Sequence, residues 1–202
     1  MMHIAILTFD GFNELDSLIA LGILNRVKRP GWRVSIASPT LRVESMNGVI
    51  LERHIDLSEA SEADVVLIGS GMKTREVVAD ADLMSQLELD PTRQLIGAQC
   101  SGALLLASLG LLNGIPACTD LTTTPWVKEA GIEVLPQAFF AQHNIATAGG
   151  CLASQYLAAW VLAKSEGIEV AQAALHYVAP VSEKDDYVTR AMANISPYIM
   201  GE

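Results

Sequence analysis

Positive charge is scarce in this chain. Its 202 residues carry 13 Lys and Arg against 23 Asp and Glu, a formal net charge of −10. Nucleic-acid binding needs clustered cations, and no basic run occurs here, so no nucleic-acid partner is expected. Long apolar runs are also lacking. The longest nearly apolar stretch, "ALLLASLGLL" at 103–112, is far shorter than the roughly 20 residues a bilayer-spanning helix needs. No membrane association is expected. No basic, apolar leader opens the chain, so the cytoplasm is the expected compartment. Cysteine is rare: Cys100, Cys118 and Cys151 are the three, and no two form a CxxC pair. A disulfide framework is not expected from that pattern. The four histidines, His3, His54, His143 and His176, show no metal-ligand spacing. Neither a metal nor a cofactor is expected.

What is present is apolar bulk. Half of the residues are hydrophobic and only 18% are charged, which suits a large-cored α/β domain with an oligomer interface, and a homodimer is expected. Strand and helix patterns alternate. "HIAILTF" (3–9), "RVSIASP" (33–39), "DVVLIGSG" (64–71) and "QLIGAQ" (94–99) are short apolar runs, the mark of strands covered on both faces. The spacing predicts helices over 13–27, 74–89, 101–112, 122–131, 151–167 and 168–178. In the first, Asn13 is the expected cap, and Leu15, Leu18, Ile19, Gly22 and Ile23 share one face. Hairpins are expected at 41–55, turning at Asn47-Gly48, and at 138–149, turning at His143-Asn144. A short strand is expected at "IEVLP". The tail repeats apolar residues at Val188, Met192, Ile195 and Ile199, a face that packs on the body or on a partner. No repeat or linker divides the chain, so residues 1–202 read as one domain. The expected fold is flavodoxin-like, a parallel sheet sandwiched by helices. In such sheets sites form beyond the C-terminal strand ends, here "FDGFNELD", "IGSGMK" and "AQCSGA".

The last of these carries the sharpest chemistry. Ala98-Gln99-Cys100-Ser101-Gly102 sits between a strand and a helix. It has the small-x-nucleophile-x-Gly form of a nucleophile elbow after a central strand. Small residues at 98 and 102 permit the tight turn. Cys100 then projects at the positive end of a helix, where a thiolate is expected. The Ser101 backbone N–H is an expected oxyanion donor. A buried structural cysteine is the competing reading. Cys118 and Cys151 lack this context and read as structural thiols.

A thiol nucleophile needs an acid–base partner. Asp10, Glu14 and Asp16 follow the first strand. Asp10 falls in the loop, in water. Asp16, flanked by Leu15 and "SLIALG", is the more buried of the other two and would titrate high. The alternative is that both acids only favour the helix N-terminus electrostatically. His176, near the end of the last core helix, is a further pocket candidate.

Together these features resemble the DJ-1/PfpI superfamily, of the class I glutamine amidotransferase-like fold, over nearly the whole chain. "FDGFNELDSLIALGIL", "DVVLIGSG", "QCSGALLLASLGLLNG" and "IATAGGCLASQYLAAWVL" carry the resemblance. Within the superfamily the chain looks most like isonitrile hydratase-like proteins. That resemblance implies a cysteine-dependent hydratase or hydrolase of a small molecule. Cys100, Asp16 and Ser101 would be the catalytic residues, and Ser70 and Gly71 would form the oxyanion loop. Asp120 would be a pocket residue where relatives carry a histidine. Ser101 stands where the hydratases have threonine, and "GSG" where the family has Pro-Gly-Gly. With no histidine at the family's positions, peptidase activity is not expected. A glyoxalase-like enzyme, or a non-catalytic sensor in which Cys100 is oxidised, remain the alternatives.

Overall fold

The computed structural model describes residues 1–199. Its elements are β1 (Met2–Leu7), α1 (Glu14–Leu24), β2 (Trp32–Ser38), β3 (Arg42–Glu44), β4 (Ile50–Glu52), β5 (Ile55–Asp56), β6 (Val65–Ile68), α2 (Thr74–Ala79), α3 (Ala81–Met84), β7 (Leu95–Gln99), α4 (Gly102–Ser108), α5 (Thr124–Glu129), β8 (Phe139–Gln142), β9 (Ile145–Ala148), α6 (Ser154–Glu166), α7 (Ile168–Val178) and α8 (Lys184–Ile195). Seven strands form one sheet in the order β5-β2-β1-β6-β7-β9-β8, and β3 pairs with β4 separately. Every neighbour in the large sheet is parallel except β8 and β9, which form the expected hairpin.

Helices cover both faces, as the unbroken apolar strands require. Ile4, Ile6, Val34, Ile36, Val65 and Leu67 face one core, shared with α1, α6, α7 and α8. Their alternate neighbours Ala5, Leu7, Val66 and Ile68 face a second core with α2 and α4. Each fully buried Leu or Ile contributes about 1.5–3 kcal/mol of transfer free energy. Residues 154–163 of α6 are all buried, around a fully enclosed Trp160. α6 packs against α1, α7 and α8, which explains why its sequence is apolar all round. Among the described residues, no helix is long and apolar enough to cross a membrane.

Several boundaries differ from the sequence pattern. The helix expected over 74–89 breaks at Asp80, whose side chain caps α3 by accepting from Leu83 N at 3.0 Å. The helix expected to 112 stops at Ser108 and gives way to turns, with Gly110 at φ +73°. "IEVLP" contributes only a single bridge, Val134 to Ala117. The apolar tail packs on the body, with Ile195 fully buried in the first core. The largest change is in α1. Its buried side is Asp16, Ser17, Ala20, Ile23 and Leu24, while Leu15 is 48% exposed. Leu15 therefore lies outside the core, Leu18 and Ile19 are half-buried with Ile19 packed at the core's edge, and a polar pair faces inward.

The register aligns Leu7 with Ile68, Ile68 with Ala98, and Gln99 with Ala148. The C-terminal ends of β1, β6, β7 and β9 thus finish at one edge. Four loops meet there: residues 8–13, 69–73, 100–101 and 149–153.

Candidate active site

Cys100 follows the last residue of β7 and holds φ at +45°, a backbone region that side-chain-bearing residues seldom occupy. Its N–H donates to Ala148 O at 2.8 Å, and Thr119 Oγ1 donates to its carbonyl at 2.7 Å. The conformation is thus fixed from both sides. Gly102 makes the turn possible. A Cβ there would lie 2.7 Å from Ile68 O and 3.1 Å from Gly69 O, so only glycine lets α4 approach β6 this closely.

Asp16 reaches the same spot from α1. Asn13 caps that helix, its side chain accepting from Leu15 N at 3.1 Å. One turn later the Asp16 carboxylate points inward. The residue is only 1% exposed. Ser70 Oγ donates to Asp16 Oδ2 at 2.5 Å and Ser17 Oγ to Oδ1 at 3.3 Å. Ser154, opening α6, binds the Asp16 carbonyl at 2.5 Å. Burial raises the carboxyl to about 6, against the opposing pull of the Ser70 and Ser17 hydrogen bonds.

A Cys151 sulfur completes the cluster. The Asp16 carboxylate and the Sγ atoms of Cys100 and Cys151 all lie within 4.8 Å of one another. Asn13 Nδ2 donates to Cys151 Sγ at 3.1 Å, which holds that sulfur toward the site. Gln99 Nε2 donates to Cys100 Sγ at 3.5 Å and to Gly150 O at 2.8 Å. Two sulfurs and a carboxylate are a donor set that suits a zinc or softer ion.

The expected resting thiolate is not what this environment favours. Cys100 is 4% exposed, and α4 behind it spans only seven residues. Burial, then the Asp16 charge, push the thiol up to about 12, against the hydrogen bonds from Gln99 and the Gly150 backbone. Burial raises both groups, and the thiol, which the Asp16 charge also opposes, is the one this environment holds protonated.

The remaining residues singled out by sequence divide. Ser101 Oγ accepts from Gly71 N at 3.1 Å and shares a 2.7 Å hydrogen bond with Thr74 Oγ1. It ties α4 to the loop after β6. Gly71 packs so tightly there that a Cβ would meet Gly11 O at 2.8 Å. Ser70 is brought onto Asp16. The Asp120 carboxylate instead accepts from Thr122 N at 2.9 Å, Thr123 N at 3.0 Å and Thr123 Oγ1 at 2.6 Å, at the start of α5. Asp10 is exposed and paired with Lys73 at 2.5 Å. His176 is exposed on α7, 4.0 Å from Asp185, and belongs to the surface. Cys118, fully buried, donates its backbone N–H to Thr147 Oγ1 at 2.8 Å. Cys151 and Gln99 escaped the sequence reading. A signal for Cys151 was there: strand, Gly149-Gly150, cysteine, helix, a second strand-to-helix junction like that of Cys100.

No curated protein matches the chain in sequence. Solved structures do match in fold. Schizosaccharomyces pombe DJ-1 superposes with a TM-score of 0.76 at 16% identity, over 89% of this chain and 100% of its own. A ThiJ/PfpI family protein from Pseudomonas syringae gives 0.78 at 18%, covering 95% of this chain and 89% of its own. Oxidised DJ-1 from Toxoplasma gondii gives 0.75 at 19%, covering 88% and 98%. The sequence profile of the DJ-1/PfpI family matches residues 2–164, and the chain belongs to that family.

Proposed function

We propose that the protein is a cysteine-dependent hydratase or hydrolase of a small molecule, with an isonitrile as the substrate class. The observation that carries this reading is the buried pairing of Cys100 and Asp16, within 4.8 Å at the C-terminal edge of the sheet. A thiol that holds its proton at rest needs an acceptor when it attacks, and Asp16 is ionised at neutral pH to be that acceptor.

In this mechanism Cys100 Sγ bonds to the terminal carbon of the isonitrile. Asp16 takes the thiol proton and passes it to that carbon, giving a thioimidate. Asp16, ionised again, takes a proton from water as its oxygen adds to the carbon. Asp16 gives that proton to the imine nitrogen. The carbon–sulfur bond then breaks as the added hydroxyl becomes a carbonyl, the hydroxyl proton passes to sulfur, and an N-substituted formamide leaves. Gln99 Nε2, the Gly150 N–H and the Ser101 backbone N–H are the donors for the charge that develops near Cys100. An uncharged, linear electrophile suits a site whose fixed charge is a buried carboxylate.

The reading extends to a cytoplasmic homodimer. Leu15 and Leu152 are 48% and 64% exposed. Beside them an apolar cavity of about 620 Å³ opens between α1, α6, α7 and α8, with Leu18, Ile19, Leu152 and Val178 in its wall. A second copy seated on this face would bury these side chains next to the site.

The test is formamide production from cyclohexyl isonitrile by wild type, Cys100→Ala and Asp16→Asn. Turnover lost in both variants supports the reading. Full activity in both ends it. Methylglyoxal serves as the comparison substrate, and turnover of it alone replaces the hydratase with a glyoxalase-like enzyme.

A further inference from the structure

We propose that Cys100 and Cys151 form a peroxide-driven dithiol–disulfide couple. The geometry brings two sulfurs from separate strand-to-helix junctions within 4.8 Å. A disulfide needs about 2.05 Å between sulfurs, so side-chain rotation must close the gap. The chain before Cys151 is suited to that adjustment, since Gly149 and Gly150 precede it and Gly150 sits at φ +91°. Asn13 Nδ2, at 3.1 Å, keeps the Cys151 sulfur turned toward its partner. The third cysteine takes no part, being fully buried after the Ala117 bridge.

A second observation points to a small hydroxylic reactant. Gln99 is 3% exposed, and its amide nitrogen is engaged by Cys100 Sγ and Gly150 O. Its Oε1 is buried and has no hydrogen-bond partner among the described residues. An orphaned buried acceptor carries a cost that a bound O–H removes. A hydroperoxide supplies such an O–H at a side chain whose amide already contacts Cys100 Sγ.

The chemistry balances with a hydroperoxide, ROOH, as oxidant. Cys151, the more exposed residue of the two, takes the terminal oxygen, its S–H and the O–O bond break, and ROH leaves with Cys151 as a sulfenic acid. Cys100 then attacks that sulfur. Asp16 accepts the Cys100 proton and delivers it to the departing hydroxide, which leaves as water. The two sulfurs have lost two electrons and the peroxide has gained them. An external dithiol reverses the step by taking the disulfide's place. Formation of the bond removes Cys100 from any reaction in which it is the nucleophile, but it depends on no particular substrate of the enzyme.

Hydrogen peroxide at one equivalent, followed by thiol blocking, thiol counting and non-reducing peptide mapping, tests the couple. The expected result is a fall from the three thiols of the chain to one. The intact mass falls by two hydrogen atoms, and a cross-linked peptide pair contains Cys100 and Cys151. Dithiothreitol restores all of these. In Cys100→Ser, oxygen adducts accumulate on Cys151 and no cross-link forms, while Cys118→Ala behaves as wild type. Oxygen added to a single cysteine of the wild-type protein without a cross-link overturns the proposal, as does a cross-link through Cys118. The assay contains no isonitrile, so a failed hydration test leaves its outcome unaffected.

Discussion

Ser70 Oγ donates to Asp16 Oδ2 at 2.5 Å, joining the loop after β6 to the buried acid of α1. This contact decides when Asp16 is ionised. Desolvation drives its carboxyl upward to about 6, and the Ser70 hydrogen bond is the largest opposing influence. Ser70→Ala removes that opposition. Under the proposed mechanism, activity rises with pH as Asp16 ionises, with a midpoint near 6. In Ser70→Ala the midpoint moves up by about 1 unit, since a charge-assisted hydrogen bond is worth about 1.5–3 kcal/mol. A pH–rate profile of kcat/KM reads the shift directly. An unmoved midpoint would separate Asp16 from the acid limb.

Asp16→Asn separates catalysis from stability. Loss of the proton acceptor lowers turnover by about 10²–10⁴-fold, the usual range for a general acid–base group. Stability changes in the opposite sense at neutral pH. The folded carboxyl titrates above its ordinary value of 3.8, so its contribution is complete below that value and is lost as pH rises to about 6. The shift of roughly 2 units corresponds to about 3 kcal/mol. Subtracting the urea-unfolding free energy of Asp16→Asn from that of wild type at pH 4 and pH 7 isolates this one group. The difference becomes less favourable to wild type at the higher pH.

Cys100 explains why a motif reveals a position more readily than its chemistry. The turn, its glycine at 102 and the flanking β7 and α4 were legible because each is local: an apolar strand, small residues, then a helix pattern. The protonation state was not legible. It is set by burial and by Asp16, which arrives from a different crossover and outweighs the expected effect of a helix that proves only seven residues long. Cys151 was missed for the same reason. Its proximity to Cys100 follows from β9 lying beside β7 in parallel register, a fact of topology that no sequence spacing records. α1 was legible in part. Periodicity located the helix and the neighbours of Asp16 pointed to its burial, but not that Ser17 would turn inward beside it while Leu15 faces out.

The tightness of the Cys100 turn gives a structural prediction. Gly102→Ala places a methyl 2.7 Å from Ile68 O, against backbone that cannot rotate away. Overpacking of this kind typically costs about 1–3 kcal/mol. The expected outcome is a lowered melting temperature together with displacement of Cys100 from Asp16. Reactivity of Cys100 toward iodoacetamide therefore changes along with stability. A variant as stable as wild type would mean that α4 has room to withdraw from β6.

The exposed stripe of α1 bears on assembly. An amphipathic helix normally turns its apolar side inward, yet here Leu15 is 48% exposed and Leu152, at the start of α6, is 64% exposed. Leu18 and Ile19 line the same open cavity as Leu152 and Val178. Burying such side chains contributes about 25 cal/mol per Å² of apolar surface, so a few leucines per subunit suffice to bias association. Charges placed there must then be desolvated or keep the copies apart. Leu15→Asp combined with Leu152→Asp is expected to convert a dimer to a monomer in sedimentation velocity, with the far-UV circular dichroism unchanged because neither side chain supports the core. A wild-type protein that sediments as a monomer across micromolar concentrations would instead leave this face open to solvent beside the Cys100 site.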